Sequence, residues 1–484
     1  MRPMDPFDAP LRIGLLVLVA ALLACGPIRA TPSVSDASTP GDPAASAGAT
    51  PVDPIVARIE EGRAYSIGLL AYFYGYPALD YMRLMREQTA DGPDRSGPRV
   101  PINALFFQDA FTEPGSAFSG RAPNHDTLYF RAWLDLGPGP VEIETPDTQD
   151  RYYALTFADF YSEVQHTGRR TTGTAPQRIW VVGPEWQAEP PERVHVVRLK
   201  THRGYLLGRL LVDGPDDLES ARQLLHRFRM RPTAPVPPPP DDLPRAEDLE
   251  SIAAFRHLNE FLRTNPRLPG EEALMAQFDG AGFGPNVRFE AARLSPDARR
   301  GLERAAVDGR AALLEAPRRG APRHTGWSAV SAREGQFGFD YHARAVIEAN
   351  GFLINLPEES VYTSTLTDAN GAPLTGDRRF RLVFEPGQLP PHDAFWSVTA
   401  YDIQTMDLIP NAIGRHSLND RGSDLVWRSD GALEIRFQRE RPERNDVNWL
   451  PVGPGRFFLT FRIYQPRPEV IAGHHRLPAV EPLP

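Results

Sequence analysis

The chain has 484 residues, of which 53 are basic and 62 acidic, giving a formal net charge of −9, and it contains one cysteine. The acidic balance excludes a general nucleic-acid binder, and the lone cysteine excludes any disulfide within the chain. Every basic residue except Lys200 is arginine and 50 residues are proline, a compositional bias that keeps arginine abundance from marking a phosphate site by itself.

Residues 11–24, LRIGLLVLVAALLA, are short for a mature membrane-spanning helix but have the length of a signal-peptide core. The run closes on Leu22, Leu23, Ala24, Cys25 and Gly26. A leucine three places before a cysteine, with a small residue just before it, resembles the bacterial lipobox, in which the thiol is acylated and cleavage leaves the cysteine first. Residues 1–24 are therefore expected to be a signal peptide and Cys25 the lipidation site. The membrane then becomes a partner through that lipid, and the cell envelope the location, on the outer or the cytoplasmic membrane. The alternatives are a plain signal peptide cut near Ala30 and a buried N-terminal helix. Residues 25–52 contain small residues and proline with no aromatic, the composition of an unfolded tether.

From residue 53 the pattern changes: Ile55, Ile59, Tyr65, Leu69, Tyr72 and Phe73 recur at helical spacing. Gly75, Tyr76 and Pro77 predict a break before a second helical piece, ALDYMRLMREQT. Between about residue 100 and residue 212, the segments RAWLDL, VEIET, RYYALTFADFY, RIWVVG, VHVVRL and GYLLGRLLV read as short strands between Gly, Pro and Asp turns. Leu218, Ala221, Leu224, Leu225 and Phe228 then form one helical stripe. The proline run at 232–244 predicts a stiff linker, and residues 246–318 read as mostly helical. Strand signals return in FLINL, RRFRLVFE, AFWSVTAYDI, LEIRF and RFFLTFRIY. The predicted fold is mainly β with α segments: two β-sandwich, jelly-roll-like modules joined by a helical region. The expected units are an N-terminal module at 53–231, the linker at 232–244, a helical insert at 245–320 and a C-terminal β module at 321–475.

Two segments in different halves align without gaps, YYALTFADF at 152–160 and FWSVTAYDI at 395–403. Both follow an arginine-bearing strand and a Pro/Gly turn, RAWLDLGPG at 131–139 and RLVFEPG at 381–387. Side chains alternate along a strand, so each apolar face runs into a carboxylate, Asp159 in the first copy and Asp402 in the second. A buried carboxylate needs a partner. Arg169 and Arg170 follow Asp159, and Arg415 follows Asp402, so these are the expected counter-charges. A purely structural pair at the mouth of each sandwich is the other outcome.

The segments APNHDTLYFRAWLDL at 122–136, PDTQDRYYALTFADFY at 146–161 and RRTTGT at 169–174 resemble the bacterial domain of unknown function 1254. GQFGFDYHARAVIEANGFLINLPEESVY at 335–362, GQLPPHDAFWSVTAYD at 387–402 and NWLPVGPGRFFLTFRIYQPRPEV at 448–470 resemble its usual partner, domain of unknown function 1214. The resemblance implies a strand-rich two-module fold, often exported, with no settled activity. Relatives commonly carry Arg and Tyr before the serine where this chain has Arg415, His416 and Ser417, which departs from the pattern at His416.

Asn124, His125, Asp126 and Thr127 form a polar cluster just before the strand LYFRAWL, where sandwich loops commonly bind ligands. Asp159, Asp126 and His125 are the expected general acid/base residues; the alternative is a turn capped by its own side chains. Asn124, Tyr161, Arg169, Arg170, Asp402 and Arg415 are the expected ligand-binding residues, with all of the first module's candidates in one cleft. Trp327, between the modules, is the tryptophan expected to stack on a sugar. No close His-x-His set, Gly-x-Ser-x-Gly or Walker-type loop occurs, so neither metal nor cofactor is predicted. Two readings follow. One is an envelope enzyme acting on a glycan or similar polar substrate; the other is a non-catalytic envelope binding or assembly lipoprotein.

Overall fold

The computed structural model describes residues 53–89, 99–115, 122–238, 242–316, 323–329, 333–421, 425–444 and 446–484. The signal peptide, tether and Cys25 expected in residues 1–52 lie outside the described residues.

The chain enters through α1 (Pro54–Thr89), then forms β1 (Phe106–Gln108), β2 (Thr127–Asp135), β3 (Val141–Thr145), β4 (Tyr153–Asp159), β5 (Val164–Gly168), β6 (Gln177–Val182), β7 (Val194–Arg198), β8 (Arg203–Leu211), α2 (Leu218–Leu225) and β9 (Arg229–Pro232). These strands make a front sheet, β1-β2-β8-β4-β5, and a back sheet, β7-β6-β3-β9. Alternation along β8 explains why they stack. Leu206 and Leu210 point inward to one core with Phe130, Leu155, Ile143 and Ile179 from both sheets, while Tyr205, Leu207, Arg209 and Leu211 point out of the front face.

Helices α3 (Ala253–Thr264), α4 (Glu272–Gly280) and α5 (Pro296–Glu315) follow, then the short strands β10 (Arg323–His324) and β11 (Trp327–Ser328) and helix α6 (Tyr341–Gly351). The helices pack with α1 into a helical layer, so α1 joins them and not the strands that follow it, while β11 packs on the second module through Trp327. The fit depends on glycine: a Cβ at Gly68 would meet Leu302 at 2.8 Å, and one at Gly309 would meet Tyr72 at 2.6 Å. The break expected at Pro77 does not form. Helix α1 runs through it, Gly75 seats Leu258 against the backbone, and buried Arg344 donates to the Tyr74 carbonyl at 2.9 Å in the turn that the proline loosens.

The remainder repeats the first module: β12 (Ser360–Thr365), β13 (Arg379–Phe384), β14 (His392–Asp402), β15 (Ser417–Asn419), β16 (Leu433–Gln438), β17 (Asn448–Pro451), β18 (Phe457–Pro466), α7 (Pro468–Ile471) and β19 (Glu481–Leu483). Its front sheet is β12-β18-β14-β15 and its back sheet β17-β16-β13-β19. Strand for strand, this is the order of the first module from β2 onward. The unusual feature recurs too: β6 pairs β7 in parallel, and β16 pairs β17 in parallel, within otherwise antiparallel sheets. The echo between 152–160 and 395–403 is therefore the equivalence of β4 and β14. Its flanks are not equivalent, because 131–139 comes from β2 and 381–387 from β13, the counterpart of β3.

Helix and strand each make up about 28% of the chain, so the fold is mixed α/β and not mainly β. The sheets are open, and no closed jelly roll forms among the described residues. FLINL also departs from expectation. It is irregular, with positive φ at Phe352 (46°) and Leu353 (45°), and the strand starts at Ser360.

Residues 53–484 form one compact unit. The two front faces meet where Tyr152, Ala154 and Leu211 pack on Phe395 and Tyr464. The other end of the first front face, with Trp133, Ala158, Tyr205 and Leu207, is covered by the helical layer. Between these two covered ends lies Arg209.

Candidate functional site

A cavity of about 330 Å³ opens at this junction, lined by Tyr129, Leu207 and Arg209 of the first module, Tyr362, Phe458 and Arg462 of the second, and Phe352, Leu353 and Ile354 after α6. Its volume lies in the range of small-molecule pockets. Both arginines are buried, at 6% and 3% exposure, and among the described residues neither forms an ion pair with a carboxylate.

The fold places them identically. Arg209 stands opposite Tyr129 on β2 and Ala154 on β4; Arg462 stands opposite Tyr362 on β12 and Ser397 on β14. Arg209 lies 5.9 Å from the Tyr129 ring centroid, and Arg462 lies 6.0 Å from that of Tyr362. Nη1 of Arg209 donates to Thr156 Oγ1 at 2.8 Å, and Nη1 of Arg462 donates to Thr399 Oγ1 at 3.0 Å. Thr156 and Thr399 are the shared threonine of the echo.

Asn355 locks the first of these sets. Its Oδ1 accepts from Arg209 Nη1 (2.9 Å), Thr156 Oγ1 (3.0 Å) and His166 Nε2 (3.2 Å), while its Nδ2 donates to Ser360 Oγ (2.7 Å) and to the Tyr362 hydroxyl (3.0 Å). An amide oxygen only accepts, so this fixes His166 as the Nε2–H tautomer. Burial pushes the His166 imidazole down to about 3. Arg209 is thus held by one nitrogen only. Its Nε and Nη2 have no hydrogen-bond partner and remain accessible at the cavity. Those two N–H groups form one side of the guanidinium fork, the geometry that takes a carboxylate by two parallel bonds. Burial also raises the Tyr129 hydroxyl above its ordinary value, so it stays protonated.

The residues chosen from sequence do not converge. Asp159 pairs with Gly204 at one end of β8, while the Asp126 carbonyl takes the Val212 N–H beyond the other end, a separation of about 27 Å at the rise of a strand. Arg169 pairs with the Tyr153 backbone at the far end of the β4–β5 hairpin, about 20 Å along the strand from Asp159. An Asp159 pair with Arg169 or Arg170 is therefore excluded by hairpin geometry.

Local partners satisfy each candidate instead. Asp159 Oδ1 accepts from the Tyr161 and Glu163 N–H groups at 2.9 and 3.1 Å, and Asp402 Oδ1 from Gln404 and Thr405 at 2.8 and 2.9 Å. Both aspartates close the turn after their strand. Arg169 binds Asp150 and reaches the second module at Gln465, while Arg170 pairs with buried Glu359 at 2.9 Å. Arg415 donates to the Trp449 carbonyl and not to Asp402. Tyr161 lies in the helical core and donates to the Pro266 carbonyl. Trp327 is buried in the second core with its indole N–H on the Pro478 carbonyl, and it lines a separate cavity with His324 and His475, away from the junction.

The cluster before β2 does reach the junction. Asn124 lines the cavity and donates to the Tyr464 hydroxyl. Asp126 is buried and accepts from Ser397 Oγ at 2.6 Å and Ser417 Oγ at 3.0 Å. His125 stacks on Phe111 and packs edge-on to His416 at 4.9 Å. Burial, and then the neighbouring His125 ring, lowers the His416 imidazole. Among the described residues no group of His, Cys, Asp and Glu is arranged to hold a metal ion.

Arg209, Arg462, Thr156, Thr399, Tyr362 and Asn355 were not singled out in the sequence. The available signal was an arginine in the middle of two apolar strands, GYLLGRLLV and RFFLTFRIY.

Two family models match the chain: protein of unknown function DUF1254 over residues 102–232 and protein of unknown function DUF1214 over residues 359–468. The chain carries both domains. Tyr129, Thr156 and Arg209 lie in the DUF1254 domain and Tyr362, Thr399 and Arg462 in the DUF1214 domain, while Asn355 comes from the stretch between them. The crystal structure of the VPA0106 protein from Vibrio parahaemolyticus is similar over 87% of this chain and 100% of its own, with 22% identity and a TM-score of 0.68, a likeness of fold. An uncharacterized protein from Burkholderia cenocepacia aligns over 90% of each chain at 14% identity with a TM-score of 0.42. No curated protein matches the sequence.

Proposed function

We propose that this protein binds a small organic anion in the cavity between its DUF1254 and DUF1214 domains, as an exported lipoprotein of the cell envelope. The reading takes each pair of sheets as one sandwich module. The observation that carries it is the open Nε/Nη2 edge of Arg209, a guanidinium buried without a carboxylate. A buried charge without a counter-charge is costly, and a ligand carboxylate supplies the missing partner. Of the two readings drawn from the sequence, this favours the non-catalytic binding lipoprotein, with a small organic anion as its ligand. Titration calorimetry of hexanoate and benzoate into the purified protein tests it. Binding should be measurable and should weaken at least about 30-fold in Arg209→Gln, since losing one partner of a buried charge pair costs roughly 2 kcal/mol or more. Equal affinity in the variant would refute the site.

The enzyme reading retains one observation. Burial, then the charge of Glu163, pushes Asp159 up to about 6, and Asp159 lines a separate surface cavity with Glu163 and Lys200. That value suits a general acid, but neither Asp126 nor His125 stands near it. Turnover lost in Asp159→Asn with the fold intact would revive this reading.

The envelope location rests on the lipobox-like Leu22 to Cys25 run. Cys25→Ser should abolish acyl labelling and release the protein from membranes, because the lipid chain supplies the burial that holds it there. Equal membrane partition of the variant would count against it.

A further inference from the structure

The two cavity arginines are equivalent by fold but not by surroundings. Opposite Arg462 stands Ser397, whose hydroxyl, with that of Ser417, seats the Asp126 carboxylate. The negative charge of Asp126 acts on the Arg462 guanidinium. The counterpart of Ser397 opposite Arg209 is Ala154. It has no hydroxyl and packs among apolar and aromatic side chains, and the buried carboxylate nearby, Glu359, is held by Tyr152 and Arg170 instead.

Donors differ in the same sense. Nη2 of Arg462 is committed to the Ala122 carbonyl (2.9 Å) and the Tyr401 hydroxyl, which closes its Nε/Nη2 edge to a second carboxylate. The corresponding edge of Arg209 is open. Around the cavity, Arg209 and Arg462 bring two positive charges and Asp126 one negative. Arg170 and Glu359 cancel as a pair, and burial keeps His166 neutral. Arg131 packs on the Phe106 ring at 5.0 Å with a partner of its own. Asp407 and Glu113 act on His416. Of the two arginines that line the cavity, Arg209 is the one left with an open edge.

We infer that the cavity selects singly charged carboxylates with an apolar body, and that Asp126 sets this selectivity. The inference rests on the anion-site reading above. The apolar body lies against Leu207, Phe352, Leu353, Ile354 and Phe458, which form the apolar part of the wall beside Asn124, Ser364 and Thr460. A second carboxylate would enter a low-dielectric space with no uncompensated cation left to meet it.

The test compares hexanoate with adipate, its chain-matched dicarboxylate, by titration calorimetry at pH 7 on the wild-type protein and on Asp126→Asn. The asparagine retains an oxygen acceptor for one serine hydroxyl, offers its NH2 to the other, which then accepts, and removes the charge. Wild type should bind hexanoate at least about tenfold more tightly than adipate, and Asp126→Asn should shrink or invert that ratio. Adipate bound as tightly as hexanoate by the wild type, or an unchanged ratio in Asp126→Asn, overturns the inference and leaves the anion site standing. Failure of both acids to bind overturns the site and the inference together. The wild-type ratio decides the selectivity even where the variant does not fold, and the variant decides the role of Asp126.

Discussion

Arg209 and Arg462 occupy the same place in two copies of one sheet: each faces a tyrosine on one neighbouring strand and donates to a threonine on the other. Beside Arg462 the Asp126 carboxylate is held by two serine hydroxyls, whereas the carboxylate near Arg209, Glu359, is already paired with Arg170. That asymmetry within a repeated framework is what sets Arg209 apart from Arg462, because it leaves the Nε/Nη2 edge of Arg209 open.

A site built on an open, buried guanidinium edge should trade stability for binding. Arg209→Met, which fills similar space without the charge, is expected to hold or raise the melting temperature while abolishing hexanoate binding. Asn355 Oδ1 keeps Thr156 and His166 as donors in that variant. Thermal unfolding monitored by circular dichroism checks it, and a clear drop in melting temperature would mean that Arg209 stabilises the fold.

Asn355 should behave in the opposite way. It is fully buried and joins both modules through Thr156, His166, Arg209, Ser360 and Tyr362. Asn355→Ala strands several buried groups at once, so a loss of about 3 kcal/mol is expected. Denaturant titration should show a lower midpoint. A change below about 1 kcal/mol would show that water replaces the amide.

His166 gives the protein an acid limb. Its folded pKa, about 3, lies below the unfolded value near 6.5, so the unfolded state binds the proton first. The stability contribution is complete above pH 6.5 and is lost as the pH falls from there toward 3. His166→Gln, which keeps an N–H for Asn355, should flatten unfolding free energy against pH in that window. An unchanged slope would remove His166 as its cause.

Asp159 acts with the opposite sign. Its carboxyl is raised to about 6 from 3.8, so the folded state binds the proton more tightly, and stability from this group is lost as the pH rises from about 4 to 6. Asp159→Asn keeps the acceptor that closes the turn and removes the buried charge. It should be at least as stable as wild type at pH 7 and bind hexanoate equally well. Weakened binding would tie Asp159 to the site after all.

Strand positions were legible where hydrophobic alternation is strong: β2, β3, β4, β6, β7, β8, β13, β14, β16 and β18 all fall on predicted segments. The echo was legible as a pattern, but its meaning was not. Thr156 and Thr399 meet arginines 53 and 63 residues further on, whereas the sequence reading paired each aspartate with the arginines next after it. A hairpin sends such neighbours to opposite ends. Arg209 was visible as a charge inside an apolar strand, yet alternation alone assigns it to an outer face. That face is buried only because the second module and the helices close over it. FLINL has the apolar content of a strand, but positive φ at Phe352 and Leu353 turns it into the cavity wall, and nothing in its composition announces that.

The most direct test is crystallographic. Crystals of the protein soaked in para-bromobenzoate should show the carboxylate on Nε and Nη2 of Arg209 and an anomalous bromine peak among Leu207, Phe352, Ile354 and Phe458. A bromine peak elsewhere, or an Arg209 guanidinium turned onto a carboxylate of the protein itself, would contradict the account.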